Sequence, residues 1–262
     1  MLSLPRKSDR QSPLWLRALG PRDLPPAIEV AGRRYEQVRT FKHDFFAATA
    51  WYAGPAGQVV LKVGRQASIL GFPLDWIGAL LSRHEARMYR LARRIEGVPE
   101  FHGLWGENGL VHEFVEGRPL AKEDVQNDVF FPRLLRILNE FHSRGAAYVD
   151  LEKRENILLG ADGRPHLIDF QISWHWPDNR GGRTWVARYI LSILQASDRY
   201  HLLKHWRRLR PDQLEVAEFE RSYETPIWIR WHRAVFRPLT RLRRQVLVWL
   251  GARASTQGRS PG

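Results

Sequence analysis

Five side chains in this sequence have the types and positions that phosphoryl transfer from ATP requires. A lysine lies in the apolar run VVLKV, a glutamate lies in RHEARMYRL, and two aspartates and an asparagine lie in AYVDLEKRENILLGADGRPHLIDFQIS. In this chemistry a cation holds the α- and β-phosphates, carboxylate and amide oxygens hold Mg²⁺, and a carboxylate orients the acceptor hydroxyl. The five candidates are Lys62, Glu85, Asp150, Asn156 and Asp169.

Each candidate has an expected role. Lys62 would bind the α- and β-phosphates, and Glu85 would position its ammonium by ion pairing. Asp150 would accept or orient the acceptor proton, while Asn156 and Asp169 flank a predicted hairpin and could converge on one Mg²⁺. Ordinary alternatives exist: the aspartates could cap turns, the lysine could be solvated, the asparagine could satisfy the loop backbone, and the glutamate could neutralise an arginine-rich helix face.

The elements that would position Lys62 and Glu85 are visible in the first half of the chain. The segments RYEQVRTFK, FFAATAWYAG and QVVLKVG predict a three-strand meander with a turn at GPAG. Apolar residues at helical spacing predict an amphipathic helix over 74–94. Two further strands, EFHGLW and GLVHEFV, follow it around the turn GENG.

The second half predicts mainly helices. FFPRLLRILNEFHSRG (130–145) is typical of a helix stopped by Gly145, and NILLG and PHLIDF predict a hairpin around ADGR. TWVARYILSILQASDRYHLLKHWRRL and RPLTRLRRQVLVWLGAR predict basic helices. Strands with one helix, followed by a mostly helical half, indicate an α+β fold of two lobes.

The expected domain boundaries follow the change of pattern near 113–120. They are a flexible basic segment at 1–26, a small β-rich N-lobe with one helix at 27–116, a compact and mostly helical C-lobe at 117–250, and a disordered tail at 251–262.

Taken in order, these motifs resemble the protein-kinase-like superfamily. VVLKV resembles the strand that carries the nucleotide-binding lysine, and LVHEFVEGRPL resembles the last N-lobe strand and the hinge. LNEFHSRGAAYVDLEKRENILL resembles the helix and catalytic loop, and LIDFQIS stands where the family has D-F-G. The resemblance implies a two-lobed fold with ATP and Mg²⁺ between the lobes and adenine against the backbone near Glu113–Val115.

The sequence also departs from the family pattern. Tyr148 and Val149 replace the His and Arg of H-R-D, and Gln171 replaces the Gly of D-F-G. HDFFAATAW contains no glycine where a glycine-rich phosphate loop belongs, so only backbone amides remain there to hold phosphate. No A-P-E segment follows Asp169.

The catalytic loop has one residue more than the usual pattern. DLEKREN places the extra residue between Asp150 and Asn156, which predicts a local bulge. If the loop bulges outward, Asn156 still reaches the metal; if it does not, Glu152 or Glu155 could take its place. The expected role of Lys153 depends on the same bulge.

The acceptor stays open at this stage. A compact C-lobe without a peptide platform resembles the lipopolysaccharide core (Kdo/heptose) kinases and the RIO-type bacterial kinases. The expected acceptor hydroxyl belongs either to a protein Ser/Thr or to a lipopolysaccharide-type sugar at the membrane face. The alternative is a pseudokinase, a binding module without turnover, which the missing glycines and the lengthened loop favour.

Composition narrows the partners and the location. The 262 residues include 41 Lys and Arg against 28 Asp and Glu, a net charge of +13, which favours anionic partners. The arginine-rich segment Arg237–Arg244, with the apolar residues after it, suits a helix on an anionic membrane surface or one packed on the C-lobe. No recognition module for nucleic acid is visible.

The absence of cysteine excludes structural disulfides, thiolate zinc sites and cysteine nucleophiles. No run approaches the ~20 apolar residues of a membrane span, and the N-terminal segment lacks the apolar core of a signal peptide. We therefore expect a cytoplasmic protein, with peripheral contact at the inner face of the membrane as an open alternative.

Histidines and tryptophans of the second half have simpler expected roles. His201 and His205 are four residues apart on a predicted helix, and packing is favoured over metal ligation. Trp174, Trp176 and Trp185 are expected to pack in the C-lobe, although one of them could stack on a sugar.

Overall fold

The first half of the chain forms one curled, antiparallel, six-stranded sheet. The computed structural model describes residues 17–68, 72–121, 127–176 and 184–215. The strand order is β1-β2-β3-β4-β6-β5, with all neighbours antiparallel. The strands are β1 (Ala27–Val30), β2 (Arg33–His43), β3 (Ala47–Gly54), β4 (Gly57–Gly64), β5 (Phe101–Trp105) and β6 (Gly109–Glu113).

The predicted meander is confirmed as β2, β3 and β4. Gly54 pairs with Gly57 across the turn, where Gly57 has φ of +119°, a value that glycine adopts without a steric penalty. Strand β1 was not predicted, because its four residues carry too short an alternation to separate from a loop.

Three α-helices and two small sheets are the other main elements of the described chain. The helices are α1 (Asp75–Leu91), α2 (Phe130–Ser143) and α3 (Trp185–Leu209). β7 (Gly117–Pro119), β9 (Ile157–Gly160) and β10 (Pro165–Leu167) form one sheet in the order β10-β9-β7, and β8 (Ala146–Ala147) pairs with β11 (Trp174–His175).

The helix predictions agree with these bounds, and the predicted α+β class is confirmed. Helix α1 ends three residues before the predicted end at Arg94. Helix α2 stops where Gly145 takes φ of +73°, as the predicted stop requires. The short strands β7, β8 and β11 were missed, since two or three residues show no periodicity.

Helix α1 packs unusually close to strand β4. A Cβ added at Gly78 would lie 2.1 Å from the backbone oxygen of Arg65, and one added at Gly64 would lie 2.8 Å from the oxygen of Gly78. Ser82 Oγ donates to the Asn108 carbonyl at 2.6 Å, which ties the same helix to the β5–β6 turn. Because both contact positions lack side chains, α1 is held against the strand that carries Lys62.

The described chain buries two hydrophobic clusters. The larger lies among α1, α2, α3 and the β9–β10 hairpin, with Phe130, Phe131, Leu138, Phe141 and Phe170 almost fully buried. The smaller lies on one face of the large sheet, around Tyr52, Leu61 and Val111.

The smaller cluster corrects one prediction about the N-terminus. Leu19 and Leu24 are buried in it, and Tyr52 Oη donates to the Pro25 carbonyl at 2.8 Å. The described part of the segment 1–26 is therefore packed rather than flexible, because its apolar side chains cover the end of the sheet.

Some predictions fall outside the described residues: the first sixteen residues, the basic segment Arg237–Arg244 and the tail 251–262. Within the described part, no helix is both long enough and apolar enough to cross a membrane.

Candidate active site

One ammonium group joins three elements at the centre of the candidate site. Lys62 on β4 donates to Glu85 of α1, with Nζ 2.9 Å from Oε1 and 2.8 Å from Oε2. It also donates to Oδ1 of Asp169, after β10, at 2.8 Å. Glu85 is only 2% exposed. The structure therefore brings these three predicted residues together.

The charges of this cluster are unequally balanced. Burial opposes the charge on Lys62, but Glu85 and Asp169 outweigh it and raise its pKa. At Asp169 burial favours the neutral acid, yet the attraction of Lys62 prevails and lowers its pKa. At Glu85 burial prevails over that attraction and raises the pKa. One cation faces two carboxylates, so Glu85 takes up a proton before Asp169 as the pH falls.

Asp150 lies in a second, neighbouring cluster. Its Oδ2 accepts from the amide nitrogen of Asn156 at 2.8 Å and from Nζ of Lys153 at 2.7 Å. Burial raises the pKa of Asp150, Lys153 and Asn156 oppose that rise, and the charge of Asp169 adds to it. Asp150 is therefore held in place by two donors and lies within the field of the metal-binding candidate.

Of the two alternatives left open for the lengthened loop, the structure shows the one in which residues 152–155 lie outward and exposed. A 3₁₀ turn at Arg154–Asn156 absorbs the extra residue and leaves Asn156 buried. Glu155 is exposed, and Glu152 is exposed and faces Lys204 at 3.4 Å. Neither glutamate takes the inward position, so the candidate site keeps the asparagine.

Backbone and aromatic contacts hold the two clusters together. The hydroxyl of Tyr148 donates to the Ile168 carbonyl, and the Ile168 amide donates to the Asn156 carbonyl at 3.1 Å. Phe170 packs edge-on against Tyr89 and Tyr148, with ring centroids 4.9 and 5.3 Å apart. Tyr148 thus connects the loop of Asp150 to the segment of Asp169.

The backbone on both sides of the site is strained. Val149 has φ of 70° and Asp169 has φ of 63°, two of the four non-glycine residues of the described chain with positive φ. A β-branched residue in this region is a steric outlier, and such conformations cost about 1–3 kcal/mol each. Strain of this kind persists only when neighbouring contacts fix the backbone.

The contact that fixes Val149 comes from a residue that the sequence did not single out. Asp198 of α3 is fully buried and accepts from the backbone amides of Tyr148 at 2.6 Å and Val149 at 2.7 Å. It also contacts Nε2 of His142 at 2.9 Å. An aspartate among the helical residues ILQASDRYHLL was the available signal, since a carboxylate on a buried helix face needs partners.

The predicted adenine contact is only partly available. The Glu113 amide donates to the Glu100 carbonyl at 2.7 Å, and the Glu113 carbonyl is contacted by Nδ1 of His112 at 2.7 Å. Among the described residues, no backbone hydrogen bond engages the amide or the carbonyl of Val115. Val115 is therefore the better candidate of the two for backbone contact with a base.

The predicted phosphate contact by amides of the glycine-free loop meets competition. The amides of Phe46 and Ala47 donate to Oδ1 of Asp44 at 2.9 and 3.0 Å. An aspartate thus occupies donors that a glycine-rich loop would direct at phosphate. Within the described residues, Lys62 and Lys153 are the cations that contact Glu85, Asp169 and Asp150.

The side chains present fit Mg²⁺ chemically. Mg²⁺ prefers oxygen ligands and binds through one or two carboxylates together with substrate phosphates and water. Asp169 is partly exposed and offers a carboxylate, and Asn156 directs its amide nitrogen at Asp150, so its carbonyl oxygen faces away from that carboxylate. Within the described residues no group of three or more His, Asp or Glu side chains forms a complete cage. Asp169 and Asn156 could therefore hold the ion only with help from a bound phosphate.

Some of the histidines and tryptophans of the second half are packed against other residues, and others are exposed. His205 Nε2 contacts the Leu151 carbonyl at 2.8 Å, which confirms packing for this residue. Trp174 and Trp176 lie against each other with centroids 5.8 Å apart. Trp185 begins α3 and is 78% exposed, so the expected packing of its side chain in the C-lobe is not found among the described residues.

Comparisons with protein families and with curated proteins found no match.

The buried imidazole of His112 should make the stability of the protein depend on pH. Burial lowers its pKa from 6.5 to about 4, so between these values the unfolded chain binds the proton and the folded chain does not. Stability contributed by neutral His112 is complete above pH 6.5 and falls as the pH drops towards 4. From pH 7.5 to 5 we expect a loss of about 2 kcal/mol from this residue.

Urea unfolding at the two pH values measures this loss. His112→Leu should show a pH dependence smaller by about 2 kcal/mol than the wild type. His102→Leu, on neighbouring strand β5, is the matched control and should follow the wild type. Equal slopes in the His112 and His102 variants would contradict the assignment.

Proposed function

We propose that this protein is a two-lobed, protein-kinase-like phosphotransferase that moves the γ-phosphoryl group of ATP to a hydroxyl in a Mg²⁺-dependent reaction. The observation that carries the proposal is the Lys62 ammonium held at 2.8–2.9 Å by both Glu85 and Asp169. An ordinary surface lysine does not join a helix, a strand and a strained loop. The resemblance of the sequence motifs to the protein-kinase-like superfamily supports the same conclusion.

The geometry supports a division of roles. Lys62 binds the α- and β-phosphates, and Glu85 holds its ammonium in place. Asp150 accepts the proton of the acceptor hydroxyl, whose oxygen forms a bond to the γ-phosphorus as the bond to the bridging oxygen of ADP breaks. Nζ of Lys153 donates to Oδ2 of Asp150 at 2.7 Å, and this ammonium could contact the phosphoryl group that is transferred.

Asn156 and Asp169 are the residues that would hold Mg²⁺. The ion neutralises the charge on the phosphates when it is bound. Asp169 and Glu85 both contact Lys62. The contact between Lys62 and Asp169 therefore positions both the cation that would bind phosphate and the carboxylate that would hold Mg²⁺.

A sugar acceptor is favoured over a protein acceptor. Helix α3 begins at Trp185, so the segment between Phe170 and α3 is too short for an extended peptide platform. Trp174 is paired in register with Ala147, three residues before Asp150, and presents a half-exposed indole. Aromatic faces with nearby polar groups are common at sugar sites, so we place a lipopolysaccharide-type sugar first and protein Ser/Thr second.

Transfer of labelled γ-phosphate tests the reaction. Purified protein with Mg²⁺ and ATP should label a core oligosaccharide more strongly than generic proteins. Stronger labelling of proteins would move the assignment to the second acceptor. Binding of ATP with no transfer to water, protein or sugar would favour the pseudokinase alternative, which the occupied amides of Phe46 and Ala47 support.

Flotation with anionic vesicles tests whether the acceptor is reached at a membrane. The full chain should float with the vesicles, and a chain without residues 237–262 should not, because that segment carries the arginine-rich and apolar residues. Neutral vesicles are the control and should retain little protein. If both chains sediment with anionic vesicles present, the result argues against an acceptor reached at the membrane.

A further inference from the structure

A cavity remote from Lys62 carries a second inference. It encloses about 300 Å³ between the segment after α1, the outer face of α2 and the β9–β10 hairpin. None of its lining residues belongs to the candidate active site. Seven charged side chains line it: Arg94, Arg133, Arg136, Arg164, Glu96, Glu140 and Asp162.

The acidic residues of this lining already have cationic partners. Arg164 contacts Glu96 at 2.6 Å and Asp162 at 3.7 Å, and Glu140 contacts Arg144 of the α2 terminus at 2.8 Å. The negative charges are therefore largely compensated within the described chain. No acidic residue of the lining therefore depends on the three remaining arginines, Arg94, Arg133 and Arg136, for its charge compensation.

Those three arginines have no ion-pair partner within the described chain. Arg133 and Arg136 are one turn apart on α2 and so share a face, and Arg94 approaches from the segment after α1. Guanidinium groups from separate elements that line one cavity are the arrangement used to bind phosphate, because each can donate two parallel hydrogen bonds.

Arg94 adds an independent observation. It has φ of 66°, the left-handed conformation that glycine adopts freely and that costs other residues about 1–2 kcal/mol. The chain carries an arginine there and not a glycine, and this arginine lines the cavity. Strain at a ligand-facing residue is typical of binding sites.

We propose that this cavity is a binding site for a small phosphorylated molecule, distinct from the ATP site. Its volume lies at the lower end of the range for small-molecule sites. A compact phosphate can lie among the three arginines of the lining that no carboxylate compensates. This inference does not depend on the proposed kinase activity.

Calorimetric titration with inorganic pyrophosphate tests the site in the full chain. The wild type and Lys62→Ala should both bind, because the cavity does not include Lys62. Arg133→Gln/Arg136→Gln should weaken binding at least about tenfold, since two charge-assisted contacts are lost. The matched control is Arg83→Gln/Arg87→Gln on the exposed face of α1, which should bind as the wild type does.

A single variant separates binding from folding. Arg94→Gly removes one guanidinium but relieves the positive φ, so it should unfold at the same or a higher temperature and bind pyrophosphate more weakly. Unchanged affinity in this variant and in the α2 double variant would overturn the proposal. So would loss of all pyrophosphate binding in Lys62→Ala, or an α2 double variant that loses only vesicle binding, which would make this face a membrane surface.

Discussion

Replacing Asp150 by Asn should lower the rate of phosphoryl transfer by about 10³-fold while ATP binding stays within a few-fold of the wild type. A positioned general base contributes about 10²–10⁴-fold to a reaction, and the amide cannot accept the acceptor proton. The contacts of Asp150 are Lys153 and Asn156, and Lys62 is held separately by Glu85 and Asp169. Loss of the carboxylate therefore leaves the predicted phosphate-binding cation in place.

The measurement combines labelled phosphate transfer with nucleotide titration on the same preparation. Asp23→Asn is the matched control, because Asp23 is an exposed carboxylate whose ion-pair partners in the described chain, Arg17 and His43, are not residues of the candidate site. It should keep wild-type turnover. An Asp150→Asn protein with activity close to that of the wild type would refute the role of this residue.

Asp198→Asn should destabilise the protein by about 3–5 kcal/mol, the cost of removing one partner from a buried charged contact. The carboxylate accepts from two consecutive amides and contacts His142, and it is fully buried. An amide nitrogen placed there would face a backbone donor, so at least one buried amide loses its acceptor. The strained backbone of Val149 would then be free to relax.

Two readouts distinguish loss of stability from loss of the loop conformation. Chemical unfolding gives the stability, and transfer activity at a temperature where the variant is folded reports the position of Asp150, which follows Val149 directly. Asp212→Asn is the control, since Asp212 is an exposed carboxylate that pairs with Arg210 at 2.6 Å and lies outside the candidate site. A folded Asp198→Asn protein with wild-type stability and turnover would show that Asp198 does not fix the loop.

The sequence predicted much of the local structure and most of the candidate site. Long periodic segments such as 74–94 and 130–145 identified α1 and α2, because burial of one helix face imposes the spacing of apolar residues. The motifs around Lys62, Asp150 and Asp169 could be ordered by resemblance to the protein-kinase-like superfamily. Short strands such as β7 and β8 could not be predicted, because their pairing depends on partners distant in sequence.

Other features depended on contacts between distant segments. A 3₁₀ turn at Arg154–Asn156 places Asn156 inward rather than a glutamate. The free-energy cost of that turn depends on the packing around it, which the sequence does not show. Likewise, the amides of the glycine-free loop looked available for phosphate in the sequence, yet Asp44 accepts from two of them. Such choices are decided by geometry within a few ångströms, which residue type and spacing do not specify.

The sequence by itself determined which groups exist: one strand-borne lysine, one helical glutamate, two aspartates and an asparagine in a fixed order, with no cysteine. Only the tertiary structure decided that Lys62 is shared by Glu85 and Asp169, that Asp198 holds the loop before Asp150, and that three arginines line a separate cavity. The physical reason is that charges act over a few ångströms in space, and residues 107 positions apart, such as Lys62 and Asp169, become neighbours only when the core has folded.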